Sequence, residues 1–308
     1  MSISAAAKSR VAYVAETAFG TIPATPTFLI VRRTGGNLQT KKTTIESDEI
    51  NLDARPRAVY QTGQDVSGQY DFELSYGSFD DMLAAALMSS WSTNVISDGI
   101  TPQSFTFEET VDLGTAGFAY NRFAGCEVNS LALNLATRAG VKGTIGIMGQ
   151  VETTDTAIVA GATYTSPNTN QIETAVTVAS LAIIGLSPVP KIKNLSLSIN
   201  RGMRLREKVG SLYSEEFGIN NTEISGSFDA YFESQALYAQ VLAHGTGAIS
   251  FNIGTVTNKK YTFSLPTVQL LDGTRKLGGR GEDVMVTVPF KAVGTASNPL
   301  LTVTRNVA

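Results

Sequence analysis

Few side chains in this chain could do chemistry. There is one histidine, His244, and one cysteine, Cys126. A Ser-His-Asp or Cys-His relay needs an imidazole to carry the proton, so it would have to use His244. That residue falls at the end of an expected helix just before Gly245, where a cation or capping donor suits the helix dipole, and nothing beside it supports a relay. Zinc sites built from His and Cys fail by count. The acidic cluster Glu46, Asp48, Glu49 and Asp53 lacks calcium-loop spacing. Leu277–Asp283 (LGGRGED) has the glycines of a phosphate loop without the following Lys-Ser/Thr, and reads as a turn. Asp80 and Asp81 sit in the first turn of an expected helix, where the dipole favours carboxylates. Basic residues do not cluster with aromatics as a base-stacking surface requires. The reading is of a protein that is not an enzyme, with no cofactor, no metal and, from its single cysteine, no intrachain disulfide.

The elements that would carry any site are organised by an internal repeat. Thr62–Ser90 (TGQDVSGQYDFELSYGSFDDMLAAALMSS) is echoed by Gly218–Ala243 (GINNTEISGSFDAYFESQALYAQVLA). Val66/Ile224, Ser67/Ser225, Gly68/Gly226, Tyr70/Phe228 and Asp71/Asp229 match, and each copy runs from an alternating strand into a short helix. A chain of 308 residues has room for two such units. Charged residues are 17% of the chain, and the polar remainder is rich in Thr, Ser, Gly and Asn. That mix fits an all-β protein with many turns, or one whose surface is covered by neighbours. The net charge of −3 gives no general attraction to nucleic acid. It divides into −6 over 1–160 and +3 over 161–308, a polarity that would favour pairing of unlike halves between copies. No stretch is apolar enough for a membrane span, and the N-terminus lacks the apolar run of a secretory signal.

Taken in order, 1–27 reads as an N-terminal arm, rich in Ala, Thr and Pro, that orders on a partner. A first unit spans 28–160, a connector 161–185 and a second unit 186–308. In the first unit Tyr70, Phe72 and Leu74 face a core while Asp71 and Glu73 face away, and Ser78 is expected to cap the helix that follows. Glu46–Asp65 is a long polar excursion carrying Ile50, Leu52, Val59 and Tyr60, apolar residues that a solvated loop does not need. Arg201–Glu223 is its counterpart. Ser234 is expected to cap a second helix, and Val284, Val286, Val288 and Phe290 alternate cleanly, with Pro289 marking an edge or a bulge.

The order of these blocks resembles the tail tube (major tail) proteins of long-tailed, non-contractile bacteriophages. An arm with Glu16, Phe19-Gly20-Thr21 and Pro23 comes first. RRTGG at 32–36, ESDEI at 46–50, VSGQYDFELSY with DDMLAAAL, SFTFE, and YTFSLPTVQL at 261–270 follow. The similarity covers about 16–305, and no single motif is diagnostic. It implies an all-β fold with short helices: two tandem tail-tube-like β-sandwich or barrel domains, each with one flanking helix and a long loop. It implies rings whose inner sheets join and which stack into a tube for DNA ejection. With two tube domains in each chain, rings of three chains with pseudo-six-fold symmetry are expected, in preference to rings of six with one half as decoration. The long loops and arms would make inter-ring contacts. By position these map to Glu46, Asp48, Glu49, Asp53, Arg55, Arg57 and Tyr60, and by the repeat to Arg204, Arg206, Glu207, Glu215 and Glu216. Asp71, Glu73 and Asp229 are candidates to line the lumen and repel phosphate. The implied partners are further copies of the chain, tape measure, tail tip and tail terminator proteins, and double-stranded DNA held transiently, with no membrane. The implied location is the virion, with assembly in the host cytoplasm. The alternative of another class is a two-domain β-sandwich adhesin or carbohydrate-binding module.

Overall fold

A computed structural model gives the fold and describes residues 3–168, 172, 178–254, 256–295 and 297–305. The chain is β-rich with short helices. Its first half contains β1 (Ser9–Ala15), β2 (Thr27–Ile30), β3 (Arg33–Glu46), β4 (Val59–Glu73), α1 (Asp80–Ala86), β5 (Val95–Ser97), β6 (Phe105–Asp112), β7 (Phe118–Ala136), β8 (Lys142–Gly149), β9 (Val151–Asp155) and β10 (Thr163–Thr165). The second contains β11 (Val178–Ile183), β12 (Ile192–Asn200), β13 (Arg204–Leu205), β14 (Phe217–Gly218), β15 (Glu223–Tyr231), α2 (Gln235–Leu242), β16 (Thr246–Ile253), β17 (Tyr261–Leu270), β18 (Thr274–Lys276), β19 (Met285–Ala292) and β20 (Thr302–Arg305).

Alternation of side chains decides the layering. In β4, Val66, Tyr70 and Phe72 are buried while Asp71 and Glu73 are half-exposed. β4 pairs with β3 on one side and β8 on the other, and β8 pairs with β7, giving the order β3–β4–β8–β7. The second half repeats it as β12–β15–β19 followed by β17 and β18. The registers agree residue for residue. Gly68 faces Leu38 and Ile147, as Gly226 faces Leu197 and Phe290; Asp71 faces Gly35 and Thr144, as Asp229 faces Asn194 and Thr287. The bulge in β7 between Val128 and Ser130 has its counterpart in the break between Leu270 and Thr274. Pro289 lies across that break, so its missing N–H falls where the ladder is already interrupted.

A second layer covers each core. In the first half it runs β9–β7–β6–β1–β2–β10, and in the second β11–β16–β17–β20–β5. β7 serves both layers: Tyr120–Ala124 pairs with β9, and from Glu127 onward the strand pairs with β8. The corner lies at Gly125, whose φ of +63° is left-handed backbone that favours glycine. Glu16 braces this corner, its carboxylate accepting from the Gly125 N–H and the Thr106 hydroxyl at 2.9 and 2.7 Å and from the Gly20 N–H at 2.9 Å.

Several expectations need correction. Ser9–Ala15 is no arm: it is a strand paired on both edges, with Val11, Ala12 and Tyr13 buried. The interval 161–185 is a connector only in part, because β10 belongs to the first half's outer layer and β11 to the second's, while 169–171 and 173–177 lie outside the described residues. Ser78 does not cap α1; Phe79 is the N-cap and makes no side-chain bond, while the Ser78 hydroxyl accepts from the Asn168 N–H. Asp80 and Asp81 do lie in the first turn, yet their carboxylates are taken up by tertiary partners. Asp80 accepts from the Tyr261 hydroxyl at 2.5 Å and pairs with Arg305, and Asp81 accepts from the Tyr13 hydroxyl at 3.2 Å. Ser234 caps α2 as expected, accepting from the Ala236 N–H. His244 follows that helix at φ +51°, outside its last turn.

Candidate assembly surface

The two inner sheets meet edge to edge. Ser130–Ala136 of β7 pairs antiparallel with Asn194–Asn200 of β12 over seven residue pairs, so eight strand positions form one continuous sheet from β3 to β18. On the core side Leu131, Leu133 and Leu135 oppose Ile199, Leu197 and Leu195, all at most 4% exposed. At about 1.5–3 kcal/mol for each buried aliphatic side chain, this row alone contributes on the order of 10 kcal/mol gross. The seam is therefore a permanent joint. Its end is sealed by Arg201, fully buried, whose guanidinium donates to Glu127 Oε2 at 3.0 Å and to the Val128 carbonyl at 2.9 Å. Burial pushes the Glu127 carboxyl up and the Arg201 guanidinium down, each shift opposed by the other's charge.

The opposite face of this sheet is open and polar. Across the seam it forms a shallow groove of about 410 Å³ lined by Asp71, Asn134, Lys142, Thr144, Asn194, Ser196 and Ser198 among others, with no Trp or Tyr in the lining. Asp71, Glu73 and Asp229 all stand on this face. Asp229 Oδ1 accepts from the Thr287 hydroxyl at 2.6 Å, and Glu73 lies 3.7 Å from Arg32 and opposite Lys142. Lys291 and Glu223 pair at 3.0 Å. The carboxylates are thus interleaved with cations and hydroxyls, and the face is not uniformly acidic.

The sheet's outer edges and two projections complete the surface. β3 pairs only with β4, and β18 only with β19, among the described residues. β3 and β4 extend into Glu46–Asp65 as a hairpin, with Glu46 and 59–65 in the ladder and a long tip at 47–58. Glu46, Asp48, Glu49, Asp53, Arg55, Arg57 and Tyr60 ride on this hairpin, with Arg57 and Asp53 paired at 3.1 Å. Ile45, Ile50, Leu52, Val59 and Tyr60 are exposed there, Ile50 and Leu52 almost completely. Arg201–Glu223 behaves differently. The Gln64 N–H donates to the Leu212 carbonyl at 2.7 Å, and the Ser214 N–H to Asp65 Oδ1 at 3.1 Å, so the segment clasps the base of the first hairpin. Phe19 meets Phe217 edge-on at 5.9 Å. Arg204 lies on the short β13, while Arg206–Glu216 and Lys208–Glu215 form exposed pairs and Glu207 is exposed. Sequence reasoning missed Glu16, Arg201 and Asp80 as ties between distant segments. Only Glu16 carried a signal, as part of the Glu16–Pro23 block.

A continuous polar sheet face, open strand edges at both ends and a projecting charged hairpin that exposes apolar side chains are the parts of a structural β-sheet building block. A family model described as phage tail tube protein matches residues 6–292, nearly the whole chain. The chain belongs to the phage tail tube protein family, whose members build the tube of the virion tail. Comparison with curated proteins gives no match.

Proposed function

We propose that copies of this chain close into rings, that the rings stack, and that the open face of the joined sheets lines a bore through which double-stranded DNA leaves the virion. The observation that carries this is the β7–β12 seam, which already joins two repeats of one strand order edge to edge within the chain. The two repeats act as two tandem tube domains, 28–160 and 186–308, the first extended by β1. Three chains then supply about 24 strands. At about 4.8 Å between strands the circumference is about 115 Å, and the bore between backbones about 37 Å before strand tilt widens it, enough for a DNA duplex.

In this arrangement Asp71, Glu73 and Asp229 line the lumen, with Asp71 and Asp229 separated by four strand spacings and four residues of stagger, about 23 Å. Interleaved hydroxyls and paired charges give phosphate no row of cations to exchange for its counterions, so DNA passes without being held. The hairpin carrying Glu46, Asp48, Glu49, Asp53, Arg55, Arg57 and Tyr60 reaches the neighbouring ring and buries Ile50 and Leu52. The segment with Arg204, Arg206, Glu207, Glu215 and Glu216 ties the two domains laterally, and its charged tips meet the next ring. The tail is of the non-contractile type. Tape measure, tail tip and tail terminator proteins are the remaining partners, with assembly in the host cytoplasm. Electron microscopy of the purified protein tests this: rings or tubes with three-fold-related chains are expected. Discrete monomers at every concentration and salt tried would overturn it, as would a ring with Asp71 and Asp229 outside the bore.

A further inference from the structure

The seam inside the chain is also a template for the joint between chains. We propose that β3 of one copy pairs antiparallel with Asp272–Lys276 of the next, in the register that β12 makes with β7. The inference rests on the ring reading above and adds the partner strand and the residue pairs.

The template follows from the register match. β3 occupies in the first repeat the place of β12 in the second: Leu38 opposes Gly68 as Leu197 opposes Gly226. Likewise Thr274 opposes Thr287 as Ala132 opposes Thr144, so 272–276 occupies the place of 130–134. Within the chain Ser130, Ala132 and Asn134 oppose Asn200, Ser198 and Ser196. Carried over, Asp272, Thr274 and Lys276 oppose Lys41, Gln39 and Asn37 of the neighbour. Gly273 and Arg275 oppose Thr40 and Leu38.

Three observations support that occupant. Both edges are open along these stretches, and Lys41, Gln39, Thr274 and Lys276 are exposed. The one pair charged on both sides, Lys41 with Asp272, is of opposite sign. Lys42 stands where Arg201 stands, which places its ammonium by the Leu270 carbonyl, the counterpart of the Val128 carbonyl that Arg201 holds at 2.9 Å. Two existing bonds at this edge must give way. The Leu38 N–H now donates to Glu109 Oε1 at 3.0 Å and the Leu38 carbonyl accepts from Asn37 Nδ2 at 3.3 Å, and an incoming strand would take their places. Continuing the sheet also removes the open edges that invite unregulated strand pairing.

The register can be read chemically. The Thr137 N–H donates to the Lys193 carbonyl and the Arg201 N–H to the Asn129 carbonyl, so the odd-numbered pairs of the seam are hydrogen-bonded and Ala132–Ser198 is not. Non-hydrogen-bonded antiparallel pairs hold their Cα atoms about 4.5 Å apart, within reach of a disulfide. The test is the double variant Gln39→Cys/Thr274→Cys, oxidised in the assembled state and run on non-reducing gels beside electron micrographs. Cys126 is buried and will not interfere. Ala132→Cys/Ser198→Cys is the positive control and should close within one chain. Gln39→Cys/Lys276→Cys is displaced by two residues, about 7 Å along the strand, and should link at least tenfold less. The expected result is a ladder of covalent dimer and trimer ending at a closed trimer. A ladder ending at six chains would uphold the pairing and overturn the three-chain ring. Rings or tubes in which the registered pair links no better than the displaced pair would overturn this pairing and leave the tube reading standing. Absence of rings and tubes from the unsubstituted protein, with no interchain link, would overturn both.

Discussion

Removing one partner of the Arg201–Glu127 pair should destabilise the chain far more than removing both. Arg201 is 0% and Glu127 5% exposed, so neither charge is well hydrated when its partner is lost. The pair closes the end of the seam, with Glu127 on β7 and Arg201 one residue beyond β12. Arg201 Nε has no hydrogen-bond partner among the described residues, so the pair carries an uncompensated desolvation cost even when intact. Stranding a buried charge costs about 3–5 kcal/mol, a large share of the roughly 5–15 kcal/mol by which a domain is stable. Glu127→Ala and Arg201→Ala should therefore each lower stability by about 3–5 kcal/mol. Glu127→Leu/Arg201→Met, which replaces the pair by apolar groups of similar volume, should cost about 1 kcal/mol or less. The assay is urea denaturation of the unassembled protein followed by fluorescence of its one tryptophan, Trp91. That indole donates to the Asp80 carbonyl and stacks on Arg305 of β20, so it reports contact between the halves. Single variants within about 1 kcal/mol of the parent, or a double variant as damaged as the singles, would refute the reasoning.

Burial also pushes the Cys126 thiol up, so it should resist alkylation in the native protein at pH 8 and react fully in denaturant; native labelling would show the β7 corner open. A Cβ on Gly226 would sit 2.2 Å from the Ser196 carbonyl oxygen and 2.5 Å from the Phe290 ring, and one on Gly68 2.2 Å from the Asn37 carbonyl oxygen. Gly226→Val and Gly68→Val should each cost about 3 kcal/mol or abolish soluble expression, read by thermal melts. Burial raises the Asp81 carboxyl above its ordinary 3.8 despite the Tyr13 hydrogen bond. Its favourable contribution is complete below that value and is lost as pH rises through the folded-state value, so Asp81→Asn should gain stability relative to the parent as pH rises above the ordinary carboxylate value, and a gap in Tm that does not widen would contradict this. Leu52→Asp with Ile50→Asp should leave the circular dichroism spectrum unchanged and stop rings from stacking, seen as short assemblies in micrographs. In hydrogen exchange the amides of Ser9–Ala15 should be protected in the monomer, in contrast to 47–58; rapid exchange at both would restore the arm reading.

The sequence by itself determined the local chemistry. Period-two alternation at 66–74 and 224–232 set which side chains enter the core and which stand on the open face, because the pleat sends neighbours to opposite sides. The repeat from Val66 and Ile224 onward was legible because like strands in like surroundings need like residues, and the ordering of blocks pointed to the family. Ser9–Ala15 was not legible: Val11, Ala12 and Tyr13 are buried in succession, so the alternation that announces a half-buried strand is missing. The length of β7 was hidden by Gly125, which reads locally as a break and in the fold is a corner between two layers. Asp80 and Asp81 read as helix-end charges because their partners, Tyr261, Arg305 and Tyr13, are remote in sequence. The tertiary structure alone decided the seam. Pairing of β7 with β12 joins residues about 60 positions apart, and register between distant strands leaves no mark in either strand's own pattern: Leu131, Leu133 and Leu135 would alternate identically beside any apolar edge.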